Sequence, residues 1–272
     1  MANKGRFTID GIIWDSILSV VAEDSDHNIL YRMPDVSDGT VDVSADSKDS
    51  TDKNGATIKK GYTAKSCSVT LTNTHLVLGA YAGTTGSDKV VATSENKQDA
   101  PRMMLVDPAS KDITLKEDPI EGTLSVTPVY ANGSTGTTYK MASDSTATES
   151  TYAYTTGTKK LSFPTTIAEE VAQLLVKYEY KSENAVMVEN RADKFPKTVK
   201  LTIQGLYYDP CDNDVLLMGY IVIPKFQPSP ETSMSMSTDS TFDYKGDAQA
   251  DYCDKNRRLY CMVFPGDDIQ ED

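Results

Sequence analysis

The sequence has few of the residues that enzymes most often use for catalysis. Its 272 residues include only two histidines, His27 and His75, and neither accompanies a Gly-x-Ser-x-Gly nucleophile motif. The sequence also contains no phosphate-binding loop and no dinucleotide-binding glycine motif. A pair of carboxylates of the kind glycosidases use is not excluded by sequence alone, since there are 40 acidic residues. We therefore expect a non-enzymatic protein.

Cysteine is also scarce, and its spacing does not suit a metal site. The four cysteines are far apart, without a Cys-x-x-Cys pair, which gives little support for zinc: Cys67, Cys211, Cys253 and Cys261. We expect these thiols to be reduced and mostly buried.

The stretch "DPCDND" resembles half of a calcium loop. It lacks the downstream glycine and the bidentate glutamate of such loops, so we expect a solvated turn between two strands. Its three carboxylates are Asp209, Asp212 and Asp214. The sequence predicts no cofactor.

Long hydrophobic runs are missing as well. The sequence contains no run of 18 apolar residues, which a membrane-spanning helix would need. Its start, "MANKGRFTIDG", has no hydrophobic leader. We therefore expect folding in a cytosol and no membrane partner. The formal net charge of −13 argues against tight binding to a phosphate backbone, which requires clustered lysine and arginine.

What the sequence does have is period-2 alternation, which predicts β-strands over most of its length. In "KTVKLTIQGLYYD" the alternation places Val199, Leu201 and Ile203 on one face. "VLLMGYIVIPKF" is apolar on both faces, which is typical of a central strand. The single tryptophan, Trp14, falls in the predicted strand "FTIDGIIWD" and is expected in the core. "SMSMSTD" alternates methionine with serine in the same way.

Helix is predicted at few places. "NTHLVLGAY" suits a short helix capped by Asn73 or Thr74 and ending near Gly79. "TTIAEEVAQLLVKYEY" fits both a helical stripe and a strand face. Its β-rich end favours a turn followed by a strand.

The middle of the chain, rich in Ser, Thr and Tyr, differs from its flanks. Short predicted strands with frequent turns suit a small Ig-like β-sandwich at residues 113–188. We therefore expect an all-β protein: a discontinuous sandwich or barrel domain of residues 1–112 plus 189–272, interrupted by that module.

A long charged segment, "SADSKDSTDKNGATIKKGYTAKS", separates two predicted strands. Its only large apolar residues are Ile58 and Tyr62. Two interpretations are open: a disordered loop, or an arm that becomes ordered against a neighbouring subunit.

Three stretches resemble the tail tube (major tail) proteins of tailed bacteriophages. The segment from "GTVDVS" to "LGAY" (39–81) resembles their N-terminal half, in which a strand, a long loop, a second strand and a short helix follow in order. The segment from "FPKTVKL" to "CMVF" (195–264) is similar to their C-terminal half. "EGTLSVTPVY", "KKLSFP" and "LLVKYEY" resemble small sandwich modules of virion proteins.

This resemblance implies a structural tail tube subunit in the virion, assembled in the host cytoplasm. Its partners would be copies of itself in stacked hexameric rings, other tail proteins, and genomic DNA that passes through without specific binding. The long segment would contact a neighbouring subunit through Lys48, Asp49, Asp52, Lys53, Lys59, Lys60, Tyr62 and Lys65.

Acidic residues would line the channel, because like charge keeps DNA phosphates from adhering. Net charge is −4 for residues 1–112, −3 for residues 113–188 and −6 for residues 189–272. The last segment therefore supplies the candidates for the channel wall: Asp209, Asp212, Asp214, Asp243, Asp247 and Asp251.

Two other functions fit the same sequence. One is a capsid decoration or baseplate protein with similar β modules. The other is a carbohydrate-binding adhesin that uses tyrosine-rich surfaces such as "YAYTTG".

Overall fold

The computed structural model describes residues 11–144, 146–210, 212–238, 240–253 and 255–265. The chain forms two compact units. The first unit holds the residues before Val90 and after Met187, and the second is Val90–Met187.

The elements follow one another along the chain with β-structure predominating, so the protein is all-β, as the alternation predicted. In chain order they are β1 (Ile13–Glu23), β2 (Ile29–Met33), β3 (Val36–Thr51), β4 (Thr57–Asn73), α1 (Leu78–Thr85), β5 (Lys89–Val91), β6 (Gln98–Val106), β7 (Asp112–Thr114), β8 (Ser125–Tyr130), β9 (Lys140–Met141), β10 (Thr151–Thr155), a single 3-10 turn (Thr156–Thr158), β11 (Lys160–Ser162), β12 (Val171–Ser182), β13 (Val186–Val188), β14 (Val199–Asp209), β15 (Asp212–Pro228), β16 (Phe242–Ala248) and β17 (Cys261–Val263).

The first unit is built on one eight-stranded sheet. Its order is β2-β1-β14-β15-β16-β4-β3, and β17 pairs with β15. All neighbouring strands in this sheet are antiparallel. Within the described residues the sheet does not close into a barrel, because β2 and β3 are its two end strands.

The sheet curls around a core to which both halves of the chain contribute. Buried Val20 and Leu71 come from the N-terminal half, and Leu201 and Phe226 come from the C-terminal half. The alternation predicted for β14 is confirmed, since Val199, Leu201 and Ile203 are all buried. Burial of these side chains supplies most of the driving force for folding, at about 1.5–3 kcal/mol for each large aliphatic residue.

Helix α1 packs on this core through small residues. A Cβ added to Gly83 would lie 2.6 Å from the ring of Tyr31, so only glycine permits this close approach. The helix begins at Leu78 and ends at Thr85, and the next residue, Gly86, caps its C-terminus with φ +69°. The predicted helix was therefore placed too early: Asn73 belongs to β4, and no side chain caps the N-terminus.

A buried pair of tyrosines links β2 to β16. The hydroxyl oxygens of Tyr31 and Tyr244 lie 2.6 Å apart, and the rings are packed edge to face with centroids 5.9 Å apart. Burial raises the pKa of Tyr31 to about 12, and burial likewise raises the pKa of Tyr244 well above its ordinary value. The fold therefore favours the neutral form of both phenols.

The second unit contains two sheets around a core of its own. One has the order β6-β12-β8 and the other β7-β11-β10-β9. Both sheets contribute buried side chains, including Val126 and Leu174 from the first and Tyr152 and Leu161 from the second. This is the arrangement of a β-sandwich. The predicted strand at the end of "VAQLLVKYEY" is confirmed as β12, the central strand of its sheet.

The start of the second unit differs from the predicted boundary at residue 113. Strand β6 pairs with β12 from Gln98↔Ser182 to Val106↔Leu174. Residues 90–112 therefore belong to the second unit. Sequence pattern did not reveal this, because the partner strand lies about 75 positions further along the chain.

Other expectations from the sequence also need correction. Trp14 is 40% exposed rather than buried, although it packs against Tyr207 and Phe264. Of the described cysteines only Cys67 is buried, while Cys253 is exposed. In the described part of the methionine–serine segment only Met234 forms a β-bridge, with Phe242, and no regular strand is present.

The tyrosine pair gives a testable prediction for stability. Tyr31→Phe should cost about 1–3 kcal/mol in free energy of unfolding, because it leaves the buried hydroxyl of Tyr244 without this partner. The double variant Tyr31→Phe/Tyr244→Phe should cost less than the sum of the two single changes. Urea denaturation measures both, with exposed Tyr252→Phe as the control. Strict additivity would show that the hydroxyls are not coupled.

The same pair predicts a loss of stability in alkali. An unfolded tyrosine has a pKa of about 10, whereas Tyr31 has a pKa of about 12 in the fold. The protonated phenol of Tyr31 therefore makes its full contribution to the free energy of unfolding below pH 10, and this contribution is lost as the pH rises toward 12. The double phenylalanine variant should lack this component of the pH profile.

The second unit generates a prediction about its limits. A fragment of residues 90–187 should unfold cooperatively, because it contains every strand of both sheets. A fragment of residues 113–188 should not, because removal of β6 leaves one edge of β12 unpaired and takes Met104 and Val106 from the core. Thermal melts followed by circular dichroism compare the two. A cooperative melt of the shorter fragment would restore the boundary at residue 113.

Candidate assembly surfaces

The long charged segment is a β-hairpin. Strands β3 and β4 pair from Ser44↔Ser66 to Thr51↔Thr57, so neither a disordered loop nor an arm ordered only by a neighbour describes it. Strand β16 pairs with β4 only as far as Ala248↔Cys67. Residues 44–66, here called the arm, therefore form a two-stranded ribbon beyond the sheet, about 25 Å long at 3.3 Å per residue.

The tip of the arm is fixed by its own turn residues. One carboxylate oxygen of Asp52 accepts hydrogen bonds from the backbone N–H groups of Asn54 and Ala56, each at 2.8 Å. Gly55 adopts φ +85°, which glycine tolerates without strain. The backbone N–H of Asp52 donates to the carbonyl of Ala56 at 2.8 Å. The sequence "DKNG" is thus a local hairpin signal.

The side chains of the arm are exposed on both faces of the ribbon. Ile58 and Tyr62 are 72% and 70% exposed, and the ammonium group of Lys60 lies 5.9 Å from the centre of the Tyr62 ring. Both faces meet solvent, so the burial of side chains does not stabilise this ribbon. A hairpin in that position is only marginally stable by itself.

The sequence-predicted interface residues all lie on this arm. The structure brings them together as one exposed, mixed-charge surface, with only Asp52 partly buried in the turn: Lys48, Asp49, Asp52, Lys53, Lys59, Lys60, Tyr62 and Lys65. Within the described part of the chain, none of these lysines forms an ion pair. Their charges are therefore available to a partner.

A second surface is the polar face of strands β16, β4 and β3. Cross-strand pairs lie on the same face of a sheet, and the register aligns Asp243 with Thr72 and Asp38, and Asp247 with Ser68. Ser68 is in turn paired with Asp42. We call this surface the acidic face.

Local contacts hold part of the acidic face in place. The hydroxyl of Thr72 donates to Asp243 at 3.1 Å, and Lys245 forms an ion pair with the same carboxylate at 3.1 Å. Four carboxylates and one ammonium group give the face a net charge of −3. Its other side carries buried Phe242 and Tyr244, so the acids cannot turn into the core.

The structure separates the acids that the sequence grouped as channel candidates. Asp243 and Asp247 lie on the acidic face, whereas Asp209 ends β14 and Asp251 follows β16. The backbone N–H of Cys253 donates to Asp251 at 3.0 Å. The side chains of Asp212 and Asp214 lie outside the described residues. Sequence reasoning missed Asp38 and Asp42, whose position depends on the pairing of β3 with β4.

A third feature is a cleft of about 220 Å³ between β1 and β3 in the first unit. Its walls include apolar Trp14, Ile17 and Val41 together with polar Ser16 and Ser37. Glycines keep these walls close: a Cβ on Gly205 would lie 2.8 Å from the Trp14 ring. Exposed Asp15 and Asp38 lie at its rim.

The described residues contain no group of three or more His, Cys, Asp or Glu side chains placed to hold a metal ion. Each histidine lies beside a single carboxylate: His27 is 3.5 Å from Glu23 and His75 is 3.6 Å from Asp35. None of the described helices has the length and apolar character needed to cross a membrane.

The sequence matches the YomU/Tube protein family over residues 15–262. The chain belongs to this family. It is therefore a tube-like structural protein of phage origin, as the resemblance indicated. The residues that match the family include the arm, the strands of the acidic face and the second unit. No curated protein matches the sequence.

Proposed function

We propose that the protein is a tail tube subunit whose copies form stacked rings around a channel for DNA. Membership of the tube family supports a structural oligomer of the phage tail. The observation that carries the proposal further is an open sheet with a long, unpaired end strand. The outer edge of β3, Val36–Thr51, pairs with no other strand within the described chain, and its first part faces β1 across the cleft.

Such an edge is a liability for a monomer. A row of unpaired N–H and C=O groups invites pairing with another chain, and soluble proteins commonly protect their edges with short strands, prolines or bulges. Strand β3 has 16 residues and no proline. Its pairing with β4 shifts register between Val36 and Asp38, between Ala45 and Asp46, and between Ser50 and Thr51, so the exposed edge consists of shorter regular stretches. In a ring, the edges of neighbouring copies pair, the sheets become one continuous wall, and the edges disappear.

The arm extends this wall to a neighbouring subunit. Burial of Ile58 and Tyr62 against another copy stabilises a ribbon that is marginal alone, and its mixed charges fix the register of the contact more than its strength. The acidic face supplies the lining of the channel, with repulsion preventing the DNA phosphates from binding. The second unit, as an Ig-like module, is an addition to the tube.

Electron microscopy of the purified protein tests this proposal. We expect hollow rings that stack end to end, with six copies in each ring. Isolated trimers would favour a decoration protein instead, and monomers at all concentrations would contradict the tube.

The channel lining has a separate test in intact particles. Replacement of Asp42, Asp243 and Asp247 by asparagine removes three negative charges from each copy, so DNA should adhere more and genome ejection should slow. The matched control replaces Glu169 and Glu170, exposed acids of the second unit, by glutamine. Normal assembly with unchanged ejection would place the acidic face away from the channel.

A further inference from the structure

The arm and the cleft are complementary surfaces on the same chain. The arm carries two exposed apolar side chains, Ile58 and Tyr62, that no described residue covers. The cleft between β1 and β3 offers a lining in which apolar side chains predominate over polar ones, and about 220 Å³ of space. Burial of the exposed apolar side chains against the apolar part of the cleft removes both surfaces from water, which lowers the free energy of the contact.

Their charges are complementary too. The arm contains five lysines and three aspartates, a net charge of +2, so the rest of the chain carries −15. The rim of the cleft presents Asp15 and Asp38, which are exposed. In the described part of the chain neither forms an ion pair. A basic arm on an acidic protein is attracted to other copies of that protein.

The arm cannot reach the cleft of its own chain. Val41 lines the cleft, while Ser47, the partner of Tyr62, lies six residues further along the same strand, about 20 Å away. Over this interval β3 stays paired with β4, with one register shift between Ala45 and Asp46, so the ribbon extends along the strand direction, away from the cleft. The contact therefore requires a second molecule.

We propose that the arm of one copy occupies the β1–β3 cleft of a second copy, with Tyr62 and Ile58 against Trp14 and Ile17 and the arm lysines beside Asp15 and Asp38. This inference rests on the proposed tube function and identifies its subunit contact. Because donor and receiver are different surfaces, each copy can engage one neighbour with its arm and another with its cleft, which is the head-to-tail arrangement that a ring requires. Head-to-tail contacts propagate from copy to copy, into a closed ring or an open filament.

A complementation experiment tests this contact directly. The donor-defective variant is Ile58→Ser/Tyr62→Ser, and the receiver-defective variant is Asp15→Lys/Asp38→Lys. All four positions are exposed, so thermal melts should match the wild type. Each variant alone should self-associate at least about tenfold more weakly. An equimolar mixture retains one good arm and one good cleft, so sedimentation should show a dimer that does not grow.

The matched control is Met103→Ser/Leu105→Ser in the second unit, which removes two side chains that are 67% and 56% exposed. It should assemble like the wild type. Two results would overturn this contact if the wild type forms rings: a mixture of the two variants that stays monomeric, or single variants that assemble normally. Either result would leave the tube proposal standing. A wild-type protein that is monomeric at every concentration would overturn both.

Discussion

The antiparallel pairing of β1 with β14 is the contact on which the first unit depends. It runs from Ile13↔Tyr208 to Glu23↔Lys200 and joins residues that are separated by the whole second unit. An ion pair at its end, 2.9 Å long, lies between Glu23 and Lys200, and the bond from Lys200 lowers the pKa of Glu23 below its ordinary value. Without this pairing, the core would lack one of its two halves.

Unequal strand lengths then produce the surfaces available for assembly. Strand β4 has 17 residues and β16 has seven, so once β16 has ended β4 continues with β3 as its one paired strand among the described residues. The extension is the arm. Where β16 is present, the three strands bury Tyr244 and Leu71 on one side and align the four aspartates on the other. The arm and the acidic face are thus successive stretches of the same strands.

The sequence predicted those strands that have one buried, apolar face and one exposed, polar face. Strand β14 alternates because one face is buried, and the all-β class follows from several such strands. The arm gives no such signal, since both of its faces meet solvent and its alternate residues are equally polar. Only the turn residues Asp52 and Gly55 mark it locally, and they were the available clue to a hairpin.

Contacts between distant residues explain the other differences. Asp38 joins Asp243 on one face because β3, β4 and β16 pair in register, a fact of topology rather than of local pattern. Trp14 was expected in the core, but β1 begins at the open end of the curled sheet, where a large ring remains half covered. The helix was placed too early because Leu76 and Val77 look helical but pack against the core just before α1 begins.

The insertion of the second unit also sets an order of events during synthesis. The ribosome releases β1 to β4 long before β14, so the first unit waits for its missing strands while its edges are open. The second unit's sheets are built from β6 to β12, within residues 98–182, and their last strand emerges before β14 does. A nascent chain with open edges is exposed to aggregation. Strand β4 ends at residue 73, and its partner β16 is complete only at residue 248. The speed of translation between these two residues therefore governs how long the edge of β4 stays exposed.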